Sequence, residues 1–479
     1  MASLVEPRVE GARLSALSAP VLRGLAQALD VATLLCAAPL AAALAGASFE
    51  GSTSLAGLAG AAAGAALLSA EDAYALDRLR RLRAQAGAIL KACALAGAAS
   101  ALCLFLAGTA GAAQRLFPFA LTFASAGLLA VSRAGLATLT RRWTRSGVFR
   151  RRVAVVAVSD FSREFIRRLQ AEPDAFEVVG VYDDRLASGR APRVHAGVPV
   201  LGSVADLLRD SRERRVDVIA VALPLGAVER IAHILGQLSS AVADVCLTTD
   251  LAGLAYQGRQ FAAVGANPVI SVGENPMKDW RAVKKACLDY GLGALALVLL
   301  SPLMAVLALA VKLDSPGPVL FRQPRLGFNN RLFTCYKFRT MRVDMTDLLA
   351  DRQTGRDDPR VTRVGKWMRR LSLDELPQLF NVLDGSMSLV GPRPHAPNTK
   401  AADRLFADVV KQYAVRHKVK PGVTGWAQVN GWRGETATIE AIENRVRCDL
   451  YYIDNWSAAF DLKIMLLTMA REIFSSRAY

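Results

Sequence analysis

Histidine and cysteine are scarce in this 479-residue chain, which holds four of the first and seven of the second. The histidines are scattered, which speaks against a histidine-centred triad. The cysteines form no C-x-x-C pair, and Cys93 and Cys103 lie in an apolar stretch, so neither a disulfide framework nor a zinc site is indicated. Aromatic residues make up only 7%. A nucleic-acid binder needs a basic stripe with stacking aromatics, so this scarcity argues against one despite an isoelectric point near 9.9. Acidic residues are also short, 42 against 59 Lys and Arg.

Apolar mass is abundant. Hydrophobic residues reach 52%, and mean hydropathy is +0.26. That excludes a disordered chain, and the length suffices for about three domains. The positive balance suits an anionic membrane surface or a substrate bearing phosphates.

Four apolar stretches fall early: Val31–Ala47, Leu55–Ala70, Ala88–Ala107 and Phe117–Leu139. Each approaches the ~20 residues that cross a bilayer. The second is rich in Gly and Ala and is expected to pack among the others. No small-residue cleavage site follows the first, so it does not read as a removable signal peptide. Arg8, Arg13 and Arg23 precede the first stretch, Arg78, Arg80, Arg81 and Arg83 follow the second, and Arg141, Arg142, Arg145, Arg150, Arg151 and Arg152 follow the fourth. The other loops carry only Arg115. The positive-inside rule then puts both ends of this four-helix transmembrane bundle in the cytoplasm. Arg133, near the end of the fourth stretch, is expected to snorkel to that side.

From Arg151 the pattern changes to buried strands alternating with helices: Val153–Val158, a helix over Ser162–Gln170, Val178–Tyr182 and Val216–Ala222. This predicts a Rossmann-like parallel α/β domain. Asp183 stands where a ribose-binding acid would sit, but the turn after the first strand, Ser159-Asp-Phe-Ser-Arg-Glu164, has no glycine. Close backbone approach to a pyrophosphate needs one. A regulatory or oligomerising role is expected instead of dinucleotide binding.

A fifth apolar run covers 288–313. Ser301-Pro302 interrupts it, and Lys284, Lys285 and Lys312 flank both ends. Proline bends a helix, and symmetric positive flanks do not suit a spanning segment. The expectation is a re-entrant helix that breaks at Ser301-Pro302, the alternative a kinked spanning helix. The expected division is 1–145 transmembrane, 146–265 Rossmann-like and 266–479 catalytic.

Beyond it, Tyr336-Lys-Phe-Arg-Thr-Met341 places Lys337 and Arg339 on one face of an extended segment. Two cations there suit a diphosphate or merely a solvated face. In Ser372-Leu-Asp-Glu375, the Ser/Glu spacing predicts a capping box, with Asp374 in the first helical turn. There a carboxylate is favoured in its ionised form and can attack phosphorus, while Glu375 can hold a hard cation. Arg369 lies nearby. Gly391-Pro-Arg-Pro394 is a rigid turn presenting Arg393, and Gly422, Gly425 and Gly431 allow close approach to a ligand.

Together, Ser-Pro-Gly-Pro-Val at 315–319, Tyr-Lys-Phe-Arg-Thr-Met at 336–341, Ser-Leu-Asp-Glu-Leu-Pro-Gln-Leu at 372–379, Gly-Pro-Arg-Pro at 391–394 and Lys-Pro-Gly-Val-Thr-Gly-Trp at 420–426 resemble the bacterial sugar transferase family. These are the monotopic phosphoglycosyl transferases, and the whole chain is similar to the large form. The resemblance implies a two-step reaction: Asp374 attacks a UDP-sugar and releases UMP, and undecaprenyl phosphate then takes the sugar phosphate. It implies Mg²⁺ on Glu375, and substrate contacts from Lys337, Arg339, Arg369 and Arg393 with Pro392, Pro394, Gly422 and Thr424. It also implies an inner-membrane enzyme of exopolysaccharide or capsule synthesis, with a cytoplasmic catalytic domain, possible as a homodimer. Gly431-Trp-Arg-Gly-Glu-Thr436, Asp449-Leu-Tyr-Tyr452 and Asn455-Trp456 resemble the glucose branch. UDP-galactose and a catalytically dead scaffold are the alternatives.

Overall fold

The computed structural model describes residues 18–71, 73–109, 111–224, 226–248, 262–265, 267–343, 358–397, 399–401, 404–406, 410, 412–432 and 438–474. Arg8 and Arg13 lie outside the described residues, as does most of the 431–436 motif. Two compact units result, Met1–Arg150 and Arg151–Tyr479.

The first unit holds long apolar helices α1 (Ala19–Ala45), α2 (Ser52–Ala70), α3 (Leu82–Leu106) and α4 (Ala112–Arg145). With Asp279–Asp314 in the second unit, five helices among the described residues are long and apolar enough to cross a membrane. Helix α1 begins twelve residues before the predicted stretch, because Pro20 suits a first turn and Leu22, Ala26 and Leu34 share one buried face. Small residues let the backbones approach. A Cβ added at Gly60 would stand 2.7 Å from the Ala96 carbonyl oxygen.

Arg133 does not snorkel. It is fully buried, and so is its partner Asp30 on α1. Its Nε donates to Asp30 Oδ1 at 3.0 Å and Nη2 to Oδ2, while Nη1 donates to the Ala73 carbonyl at 3.1 Å and Gln85 Oε1 at 2.8 Å. The Tyr74 ring covers its Cζ at 4.7 Å. A satisfied ion pair inside the helices removes the reason for the side chain to reach for water.

The second unit opens with an eight-stranded sheet: β1 (Arg151–Val156), β2 (Phe176–Tyr182), β3 (Val194–His195), β4 (Val198–Gly202), β5 (Val218–Ala222), β6 (Asp244–Thr248), β7 (Ala262–Val264) and β8 (Asn267–Gly273), ordered β3-β4-β2-β1-β5-β6-β8-β7. The centre is parallel, with Val153 opposite Val178 and Val218. Strands β3, β7 and β8 pair antiparallel at the edges, so the sheet is mixed and not purely parallel. Both faces are apolar, with Val153 and Val155 on one and Ala154 and Val156 on the other.

The turn after β1 is built without glycine. Ala157 takes φ +78°, and Ser159 and Ser162 form a reciprocal cap on helix Asp160–Gln170. Asp183 accepts from the Val158 N–H at 2.8 Å and pairs with Arg185 at 2.7 Å and Arg230 at 3.1 Å. Burial alone would raise its pKa, but the Arg185 and backbone hydrogen bonds outweigh that and hold it at about 2. The acid at the ribose-binding position is thus spent on two arginines of its own domain.

Candidate active site

The C-terminal part is organised around α5 (Asp279–Asp314). It is one helix on both sides of Pro302, so the expected break at Ser301-Pro302 does not end it, although Pro302 has no N–H to give to the ladder; Ser301 Oγ donates to the Val298 carbonyl at 2.8 Å. Both ends are tied to the same domain. At the first, Lys285 Nζ donates to Asp461 at 2.6 Å and to the Val390 carbonyl at 2.9 Å, and Asp289 accepts from Ser388 Oγ at 2.9 Å and the Leu389 N–H at 3.0 Å. At the second, Asp314 accepts from the Val364 N–H at 3.1 Å, and Arg339 donates to the carbonyls of Ser315 at 2.7 Å and Pro316 at 2.5 Å. Between these anchors Val298, Leu299 and Leu303 project apolar side chains into the surroundings.

Strands β9 (Leu320–Leu326) and β10 (Leu332–Phe338) form an antiparallel hairpin, with Lys337 opposite Phe321. Lys337 Nζ donates to Glu375 Oε1 at 2.7 Å. Arg393 grips the same carboxylate through two nitrogens, Nη2 to Oε1 at 2.6 Å and Nη1 to Oε2 at 3.0 Å. Such bidentate, charge-assisted contacts fix orientation as well as energy. Burial would raise the Glu375 pKa, but Arg393 and Lys337 overcome it and hold the carboxyl well below its usual range.

Asp374 is buried beside this cluster. Burial raises its pKa, the Glu375 charge adds to the rise, and Lys337, Arg369 and Arg393 oppose it. The expected capping box is absent. Ser372 takes left-handed φ 55° and ψ 19° and makes no side-chain cap bond. Leu373–Glu375 is one 3-10 turn, too short for a macrodipole, so burial governs Asp374 instead of a helix terminus favouring its charge.

Lys337, Arg369, Arg393, Asp374 and Glu375 therefore come together electrostatically. Arg339 does not join them. Strand β10 ends at Phe338, so the two-residue alternation stops one residue short of Arg339, whose guanidinium instead holds the 315–316 turn. Gly422 and Gly425 serve chain packing, since a Cβ at Gly422 would stand 2.0 Å from Gly391 N and one at Gly425 would stand 2.3 Å from the Gly391 carbonyl oxygen. Gly431 has φ +91°. Pro392 accepts from the Gly422 N–H at 3.0 Å. Thr424 pairs its hydroxyl with Thr468 at 2.6 Å.

The sequence reading missed the scaffold of the Arg393 turn. Arg416 donates to the Arg393 carbonyl at 2.8 Å, and Arg325 to the Pro394 carbonyl at 2.7 Å. Arg416 is fully buried and pairs with Asp449 at 2.7 Å. Burial and then the Arg416, Arg445, Arg325 and Arg393 charges keep His395 neutral, its pKa well below the usual value. The Asp449-Leu-Tyr-Tyr452 motif is thus scaffold, with Tyr452 donating to Asp461 at 2.8 Å. Asn381, in the short helix Gln378–Leu383 that follows Asp374, ties that helix to β10, accepting from the Tyr336 N–H at 2.9 Å and donating to the Thr334 carbonyl at 2.8 Å. Its only sequence signal was its place five residues after Leu376 in the same motif region.

Among the described residues no cluster of three or more His, Cys, Asp or Glu forms a metal cage. Glu375 accepts three hydrogen bonds, leaving about one of a carboxylate's four lone-pair directions. That fits a magnesium ion carried mainly by substrate phosphates, since Mg²⁺ needs only one or two protein carboxylates.

A family model described as bacterial sugar transferase matches residues 280–475, and one described as a CoA-binding domain matches 69–248. An undecaprenyl-phosphate glucose phosphotransferase of Komagataeibacter xylinus is 42% identical over 71% of this chain and 62% of its own length. UDP-glucose:undecaprenyl-phosphate glucose-1-phosphate transferases of Escherichia coli K12 and Klebsiella pneumoniae are 38% and 36% identical, over 70% and 73% of this chain and 71% and 73% of theirs. The paired Asp374 and Glu375, with the cations around them, lie inside the matched segment. The chain is a membrane protein of the bacterial sugar transferase family.

Proposed function

We propose that this protein transfers glucose 1-phosphate from UDP-glucose to undecaprenyl phosphate, releasing UMP, as the first membrane step of exopolysaccharide or capsule assembly. The observation that carries the reading is the buried Asp374 next to a Glu375 carboxylate clamped by Lys337 and Arg393. The relatives' names supply the sugar and the acceptor.

In the first step an Asp374 oxygen attacks the glucose-bearing phosphorus. The bond to the UMP oxygen breaks, and UMP leaves with the electron pair. Lys337, Arg369 and Arg393 offset the charge that builds on the phosphoryl oxygens. Glu375 holds Lys337 and Arg393 in place for this and would ligate Mg²⁺. When bound, Mg²⁺ supplies Lewis-acid charge to the diphosphate. In the second step the lipid phosphate attacks the same phosphorus and frees the Asp374 carboxylate.

Helix α5 is proposed to enter the membrane and return, so that its anchors stay on the cytoplasmic side. Support comes from its two ends tied to one domain and its exposed apolar middle. Trp367, Phe380, Leu466 and Met469 are further exposed apolar residues of this domain, suited to a membrane surface. The arginines after α2 and α4 put those helix ends on the same side.

The test uses purified protein with Mg²⁺, UDP-glucose and undecaprenyl phosphate. UMP is the expected product, and Asp374→Asn is expected to abolish its release. Release of UDP, or full activity of the variant, refutes the mechanism. A reporter fused after Tyr479 is expected to read cytoplasmic, and a periplasmic signal would make α5 a spanning helix.

A further inference from the structure

The first unit carries a trough of about 740 Å³ between α3 and α4. Ala94, Gly97, Ala98 and Ala101 share one face of α3, at the three- and four-residue spacing of successive turns, and line its floor. The helices meet closely beneath them: a Cβ added at Gly97 would stand 2.1 Å from Thr122 Oγ1. Phe105 on α3 and Phe119 and Phe123 on α4 line the trough too and stay 80%, 67% and 75% exposed, so they form its rims. Small residues between exposed rings make a recess, where an even row of leucines would make a flat helix face.

Length and charge select the occupant. From Ala94 to Phe105 the trough runs about 17 Å along α3, little more than half of the ~30 Å hydrocarbon core. It therefore suits a chain one leaflet deep, and a polyprenyl chain is much longer than that. The mouth is polar, lined by Thr109, Gln114 and Arg115 where α3 gives way to α4. Thr109 spends its hydroxyl on the Leu104 carbonyl at 3.0 Å. Arg115 is exposed, and among the described residues its guanidinium has no ion-pair or hydrogen-bond partner. Glu50, on the loop between α1 and α2, does not line the mouth. Helix α4 starts there with no acidic residue in its first turn and no side-chain cap, so its N-terminal partial charge adds to that of Arg115. A cation at this end of a helix disfavours the helix and favours an anion beside it. An apolar trough one leaflet deep with a cationic mouth is complementary to a lipid with an anionic head.

We propose that this trough binds an anionic glycerophospholipid of the outer leaflet: one acyl chain lies along Ala94, Gly97, Ala98 and Ala101 between the phenylalanine rings, and the phosphate meets Arg115. This lipid is distinct from the one the reaction consumes. Arg115 stands at the end of the bundle away from Arg78, Arg80, Arg141 and Arg142, whereas the reacting lipid phosphate is needed on the side of those arginines. The choice of leaflet rests on the topology reading above, which the binding itself does not require. A chain lodged in the trough bridges α3 and α4, so the site stabilises the bundle without taking part in the chemistry.

The experiment titrates the full-length protein, stripped of lipid in detergent, with phosphatidylglycerol or with zwitterionic phosphatidylcholine of the same acyl chains. Retained lipid is counted by native mass spectrometry. One phosphatidylglycerol per chain is expected, held about fivefold more tightly than phosphatidylcholine, the usual worth of one arginine at an anionic lipid. Its binding should raise the unfolding midpoint. Arg115→Gln is expected to level the two lipids. Ala98→Phe, at an exposed position, fills the trough and is expected to remove both, with the unfolding midpoint in detergent alone unchanged. Val131→Phe, at another exposed position of α4, is expected to change neither. Equal retention of the two lipids by the unmutated protein overturns the headgroup assignment, and undiminished retention by Ala98→Phe overturns the site. Absence of retained lipid, with a dimer that Ala98→Phe dissociates, overturns it in favour of a second copy of the chain. The leaflet is read separately. Ala112→Cys, exposed beside the mouth, is expected to react with a membrane-impermeant maleimide from the periplasmic side of intact cells. Reaction from the cytoplasmic side alone would overturn the leaflet together with the topology reading.

Discussion

Arg133 in the first unit and Arg393 in the second each grip a carboxylate through two guanidinium nitrogens. Around Arg133 everything is closed. Its side chain and that of Asp30 are 0% exposed, and the remaining donors go to Ala73 and Gln85. Around Arg393 the cluster is open: Arg393 keeps 22% exposure, Lys337 14% and Glu375 11%. A sealed pair has its charge cancelled and its hydrogen bonds consumed, so it can only hold helices together. An open one keeps cationic surface for an anionic ligand, and Glu375 sets where that surface points. The chemistry of the pair is the same, and access distinguishes scaffold from site.

The largest expected effects come from opening this contrast by mutation. Arg393→Ala is expected to lower kcat/KM for UDP-glucose by about 10²–10³, the usual loss for one preorganised charge-stabilising donor. Its thermal midpoint should stay near that of the unmutated protein, because the site is partly solvated. Arg133→Met should do the reverse. Leaving Asp30 buried and unpaired costs about 3–5 kcal/mol, read as a lower unfolding midpoint in detergent, while turnover per folded molecule holds. Loss of turnover with stability kept in the Arg133→Met protein would erase the distinction between scaffold and site. Adding Asp30→Leu to Arg133→Met sharpens it. With both charges gone most of the loss should return, less about 1–3 kcal/mol for the partners left at Gln85 and Ala73.

What the sequence revealed about these two clusters follows from distance along the chain. The Arg393 turn was legible because Pro392 and Pro394 restrict it locally. The long helices were legible from composition, although α1 was shortened because its first turns mix polar and apolar residues. Arg133 was misread because Asp30 lies 103 residues away, and nothing near Arg133 signals a partner. Arg339 was misread because alternation says nothing about where a strand ends. At Ser372 the cap spacing was present, but the residue took a left-handed conformation that points the chain into a 3-10 turn. Gly422 and Gly425 looked like ligand-facing glycines, and only the parallel pairing of Ser388–Val390 with Gly422–Thr424 showed that both make room for the backbone of Gly391. Strand β8 runs antiparallel to β6 and the edge strand β7 antiparallel to β8, a reversal that the residues of neither strand signal.

The smallest effect at neutral pH, and the most specific, concerns the open cluster's two carboxyls. They share one site yet shift in opposite directions: burial carries Asp374 up, whereas Arg393 and Lys337 carry Glu375 down despite its burial. Attack on phosphorus requires the ionised aspartate. As pH falls, Asp374 takes up its proton first, while Glu375 stays charged and keeps Lys337 and Arg393 in place. The acid limb of kcat/KM for UMP release is therefore expected above the ordinary aspartate range near 3.8, with the rate at pH 7 unchanged. Lys337→Met removes the strongest charge opposing the Asp374 rise, so its acid limb should move further toward neutral. If instead the limb lay at or below the ordinary range in both proteins, Asp374 would be ionised by its neighbours, and burial would not set its reactivity.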